Sequence, residues 1–74
     1  MNEAALQTSE SAVSRAFAVL EVLALQEEPM RLSAIAVRLG MQKSTVHRIL
    51  TTLSGLGYVQ QEPQSSCYRA TLRL

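Results

Sequence analysis

Residues 33–53 read SAIAVRLGMQKSTVHRILTTL. Ala36, Gly40, Val46 and Ile49 stand in the spacing Ala-x3-Gly-x5-Val-x2-Ile. Each residue type has a physical reason to be there. Two helices that cross steeply approach closely, so the first of the pair needs a small residue at the crossing, and Ala36 supplies it. The short connection needs positive φ, which glycine adopts without a Cβ clash, and Gly40 stands there. Val46 and Ile49 then anchor the following helix, with Ile35, Leu39 and Met41 as the apolar positions beside them. The pattern is a helix-turn-helix. The plainer alternative is an ordinary pair of packed helices with a glycine between them.

Working outward, Ser33 predicts an N-cap for a short helix over 34–39, with Leu32 in a brief extended segment. A third helix is expected over about 42–54. Its apolar face is Val46, Ile49, Leu50 and Leu53, and Gly55 and Gly57 break it. Upstream, Val13, Ala16, Phe17, Leu20, Leu23 and Ala24 recur at helical steps and read as the core face of a first helix. Ser9 or Ser11 caps its start, and the run from Gln26 to Pro29 ends it. A second apolar stripe of Ala12, Val19 and Val22, with Ala18 and Leu25 between, reads as lying roughly opposite that face. It suggests either a partner helix, most simply from a second copy, or a domain that wraps more of the helix than usual.

Downstream the period changes. Tyr58 to Gln61 reads as a strand, residues 62–66 as a turn with Pro63 at its second position, and Cys67 to Leu72 as the returning strand. Alternation turns Tyr68 and Ala70 inward and Arg69 outward. The fold class is therefore mainly α with a small β-hairpin: a winged helix-turn-helix of three helices plus a two-stranded wing. The expected layout is a flexible N-terminus over 1–10 and one domain over 11–74.

Composition narrows the function classes. The 74 residues include one Cys, one His and no Asp. His47, Cys67 and scattered Glu do not form a plausible metal set, and a Ser-His-Asp triad lacks its acid. One small domain offers little room for a deep substrate cleft. A non-enzyme without cofactor or metal is expected. No apolar run approaches the roughly 18–20 residues of a membrane span, and the polar start of the chain does not read as a signal peptide. A cytoplasmic protein that makes no membrane contact is expected.

Net charge is +1, but the charge is unevenly placed. Residues 1–28 hold one basic and five acidic residues, whereas residues 29–74 hold six basic and one acidic. The run from Arg31 to Gln61 contains no acid. A polyanion would explain that asymmetry, and so would an unevenly solvated surface. At 100° per residue, Ser44, His47, Arg48 and Thr51 point away from the Val46/Ile49 face. A helix lying in the major groove needs such hydrogen-bonding tips and positive charge. Arg48 suits a guanine edge or a phosphate equally. Lys43, Ser44 and Thr45 stand at the helix start, where a phosphate or simple capping fits. His47 suits a base, a phosphate or plain exposure. Arg69 is placed on the wing for phosphate or minor groove. Arg15 suits DNA backbone or an interface.

These residues resemble a known family. The run from Ser14 to Glu21 is similar to the opening helix of the IclR (isocitrate-lyase-regulator) family of bacterial transcription regulators. Leu32 to Ala36 and Arg38 to Met41 resemble its second helix and turn. Lys43 to Leu50, with Leu53 and Leu56-Gly57-Tyr58-Val59, resembles its recognition helix and first wing strand. Tyr68-Arg69 matches the second strand. The resemblance implies a dimeric DNA-binding winged helix that reads double-stranded DNA, most simply a palindromic operator, as repressor or activator. The recognition helix would enter the major groove, and the wing, over about 58–72, would meet the backbone or minor groove. Lys43, Ser44, Thr45, His47 and Arg48, with Arg69, would contact DNA. The resemblance further implies a longer parent, dimerised through the first helix and a linker helix, whose effector domain binds a small molecule. Gln42, Ser65-Ser66 and Ala70 depart from the family's usual Pro, Gly and larger apolar residue.

Overall fold

The computed structural model describes residues 12–71. Three helices precede an antiparallel hairpin: α1 (Ala12–Ala24), α2 (Leu32–Leu39), α3 (Lys43–Leu56), β1 (Val59–Gln61) and β2 (Tyr68–Ala70). This is the winged helix-turn-helix expected. The segment 1–10, the proposed caps Ser9 and Ser11, and Leu72 lie outside the described residues.

The core is wholly apolar. Val19, Leu20 and Leu23 of α1 meet Ile35 and Ala36 of α2, Val46, Leu50 and Leu53 of α3, and Val59 and Tyr68 of the hairpin. Among the described residues no polar or charged side chain is buried. Every charged side chain among the described residues therefore sits at or near the surface. The three helices pack on one another, α1 also lies against β2, and α3 leads directly into β1.

The core face of α1 differs from the expectation. Val19 is fully buried, whereas Val13 and Phe17 are each 66% exposed and Ala24 is exposed. The buried arc is thus rotated by roughly 50°, half the step between neighbouring residues. Only Leu20, Leu23 and half-buried Ala16 are common to both readings. The physical reason is that α1 is apolar almost all round. Its sequence fits several phases, and packing against α2, α3 and β2 chooses among them. The stripe left bare is Val13, Phe17 and Ala24.

Helix starts also shift. Arg31, not Ser33, is the N-cap residue of α2, so Leu32 and Ser33 are already helical. Gln42 is the N-cap residue of α3. The two helix ends share one device. Gly40 takes φ 66°, with its N–H on Val37 and the Met41 N–H on Ala36. Gly57 takes φ 90°, with its N–H on Ser54 and the Tyr58 N–H on Leu53. These are paired closures of the last turn that require left-handed backbone. A Cβ added at Gly40 would meet nothing within 4 Å, so the glycine serves φ rather than close approach. Gly55, expected to break the helix, lies inside it.

In the hairpin Val59 faces Ala70, Gln60 faces Arg69 and Gln61 faces Tyr68. Tyr68 is buried, Ala70 half-buried and Arg69 exposed, as alternation required. Met30 adds a third segment on the outer side of β2. Its N–H reaches the Tyr68 carbonyl at 2.8 Å, and the Tyr68 N–H returns to Met30 at 2.7 Å. Thr71 ties the hairpin to α3, its hydroxyl donating to the Gly57 carbonyl at 2.8 Å and its N–H to Tyr58 at 2.9 Å. The first helix thus reaches the wing through the segment that follows it, and the wing is fixed at the C-terminal end of α3.

Candidate nucleic-acid interface

The helix-turn-helix forms because each half of residues 33–53 can bury only one face. Ile35 and Ala36 turn inward from α2, and Val46, Leu50 and Leu53 from α3, with Gly40 making the corner. The opposite face of α3 is left open. Ser44, His47, Arg48 and Thr51 are all exposed, as are Lys43 in the first turn and Thr52. Ser44, Arg48, Thr51 and Gly55 fall within one narrow arc of the helix by their spacing. Gly55 carries no side chain, so this face flattens toward its C-terminal end.

The first turn of α3 is open as well. Gln42 holds extended backbone at φ −72°, ψ 147°, and its side chain makes no cap hydrogen bond. The N–H groups of Lys43, Ser44 and Thr45 stand at the positive end of the helix dipole. Thr45 differs from its neighbours in being half-buried, so it presents less to a ligand than Lys43 and Ser44. Thr51 has a local partner, its Oγ1 donating to the His47 carbonyl at 2.9 Å.

The wing offers a second surface. Arg69 is exposed on β2, and its Nη2 donates to Gln60 Oε1 at 3.5 Å across the strands. Gln60 did not stand out in the sequence, and its role emerges only from the strand register. At the tip, the Ser66 N–H reaches the Glu62 carbonyl at 2.9 Å, so five residues close the turn. Ser66 takes φ 61°, the left-handed conformation for which glycine is the usual choice. Ser65 Oγ donates to Glu62 Oε1 at 3.2 Å and accepts from the Cys67 N–H at 3.2 Å. Those bonds hold the tip together around the strained residue. Arg15 is exposed on α1.

A helix whose exposed face is polar, cationic and free of acid, beside a short hairpin with an exposed Arg, is a familiar arrangement. The IclR helix-turn-helix domain family matches residues 12–63. The chain belongs to that family. It is a DNA-binding winged helix of the transcription-regulator type. It is 41% identical over 66 residues to the HTH-type transcriptional regulator KdgR of Dickeya chrysanthemi, covering 89% of this chain. The chain spans 21% of that relative's length. An IclR-family transcriptional regulator from Brucella abortus superposes with TM-score 0.74 at 34% identity, over 80% of this chain and 22% of that one. The Zalpha domain of cyprinid herpesvirus 3, in a structure of its binding mode to Z-DNA, superposes with TM-score 0.69 at 28% identity, over 76% of this chain and 90% of that one.

No group of three or more His, Cys, Asp or Glu among the described residues is placed to hold a metal ion. No described helix is long and apolar enough to cross a membrane.

Proposed function

We propose that this IclR-type domain is the DNA-reading module of a longer transcription regulator and performs no catalysis of its own. One observation carries the reading: the helix-turn-helix leaves Ser44, His47, Arg48 and Thr51 exposed along α3, on a stretch of chain without an acid. In the major groove this face offers the guanidinium fork of Arg48 to a guanine edge and the hydroxyl tip of Ser44 to a neighbouring base. Lys43, Ser44 and the open N–H groups of the first turn of α3 suit a phosphate, with half-buried Thr45 in a supporting place. Arg69 on the wing suits backbone or minor groove. Arg15 suits backbone or a subunit contact. The parent acts in the bacterial cytoplasm on a palindromic site, as a homodimer through α1 and a following linker helix, and a small-molecule effector binds in a separate C-terminal domain.

Binding selection from a random duplex pool, followed by titration of the enriched duplex, tests the reading. Arg48→Ala is expected to cost about 1–3 kcal/mol and to relax preference at one position. Unchanged affinity and preference would remove Arg48 from the readers.

A second reading is a winged helix used for protein interaction, favoured by the exposed Val13 and Phe17 on α1. Chemical shifts in a duplex titration separate the two. Perturbation along α3 and the wing supports DNA, and perturbation confined to α1 supports a protein partner.

A further inference from the structure

Thr51 is exposed on the same face of α3 as Ser44 and Arg48, yet its hydroxyl is engaged within the helix. Oγ1 donates its hydrogen to the His47 carbonyl four residues back, at 2.9 Å. A hydroxyl has one hydrogen to give. With that hydrogen committed, Thr51 offers a ligand its γ-methyl group and acceptor lone pairs, but no donor. The bond also restricts χ1, since Thr in a helix divides between the two rotamers that allow this contact. The methyl group is therefore confined to the positions those rotamers give rather than averaged over all three. Among the exposed side chains on this arc, Ser44 brings a hydroxyl and Arg48 a charged fork. Thr51 alone brings a methyl group, restricted by its back-bond to the His47 carbonyl.

We propose that Thr51 is a specificity-determining residue that recognises the 5-methyl group of a thymine in the major groove. The inference rests on the DNA-reading function proposed above. The thymine methyl is the only apolar group that base pairs present in that groove, and small apolar side chains are its usual contacts. A donor-less Thr next to Arg48 would set a thymine preference beside the position that Arg48 reads. It would also disfavour cytosine at that place, because cytosine lacks the methyl group.

The test uses the 74-residue chain and the duplex it enriches from a random pool. That duplex is resynthesised with deoxyuridine replacing each thymine in turn, which deletes one methyl group at a time and leaves pairing unchanged. Wild type, Thr51→Val and Thr51→Ser are then titrated. One thymine-to-uracil change should weaken wild type and Thr51→Val by about fourfold, the ratio expected for burying one methyl-sized group. The same change should be silent in Thr51→Ser, which keeps the hydroxyl and lacks the methyl. Thr51→Val should bind the all-thymine duplex within about twofold of wild type, since valine keeps the branched shape.

Loss of more than about tenfold in Thr51→Val would show that the hydroxyl is the reading group, and would overturn the inference. So would an enriched duplex that is sensitive to Arg48→Ala but contains no thymine coupled to residue 51. In that case the DNA-reading function stands and only the role of Thr51 falls. If no duplex is enriched, both fall together.

Discussion

Val19, Ile35, Val46 and Leu50 are the side chains most deeply buried, and they come from all three helices. Truncating any one leaves a hole in the single core cluster they share. Leu50→Ala is expected to cost about 2–5 kcal/mol, read as a lower melting temperature or denaturant midpoint. In so small a domain that is a large share of the total stability. Ser66 is a different kind of site. It holds φ 61° at the wing tip, where a side chain costs about 1 kcal/mol or more. Ser66→Gly should remove that strain and raise stability by up to about 1 kcal/mol, the larger freedom of glycine in the unfolded chain offsetting part of the gain. A drop in the melting temperature of Ser66→Gly would show that the serine earns its place through contacts of its own. The residues of the candidate interface were legible singly, because polarity and helical phase are local properties. Thr45 was the exception, since its half-burial depends on what packs beside the first turn of α3.

At the scale of elements, α3 is the one whose sequence and structure agree most closely. Its apolar spacing, its polar face and its terminal glycine all point the same way. Gly55 is the discordant position. It is helical and exposed, and a Cβ there meets nothing within 4 Å. Gly55→Ala should stabilise the domain by about 0.5–1 kcal/mol, by thermal or denaturant unfolding. If the same variant weakens duplex binding, the flattened end of the helix face lies against DNA. Gln42 is discordant with its family pattern but not with its backbone. At φ −72° it already sits where proline is fixed, so Gln42→Pro should be tolerated and should stabilise the start of α3 by about 0.4–1 kcal/mol. The start of α2 was misplaced from sequence because Ser33 is a good cap in isolation. The bridge between Met30 and Tyr68 draws the preceding chain into an extended path that ends at Arg31 instead. The same long-range pairing was invisible in the sequence, where Met30 carried no strand signal.

For the whole molecule, the uneven charge and the bare face of α1 have separate consequences. The acid-free stretch from Arg31 to Gln61 predicts that duplex binding weakens steeply with salt, each phosphate neutralised contributing a slope of about 0.9 in log affinity against log salt. A flat salt dependence would speak against a phosphate-based interface. Val13 and Phe17, each 66% exposed, predict that Phe17→Ser alters self-association while leaving the fold intact. Sedimentation combined with circular dichroism would check both halves of that statement. A large loss of helix would mean that Phe17 packs within the domain. The order of elements, the helix-turn-helix corner at Gly40 and the polar face of α3 are written in local sequence. Those follow from periodicity and backbone preference, which act within a few residues. Packing across the molecule sets which arc of α1 is buried, brings Met30 to the hairpin, and stands Gln60 against Arg69. Each of these depends on distant segments competing for one small core, and an almost uniformly apolar helix gives no local signal of which side will win.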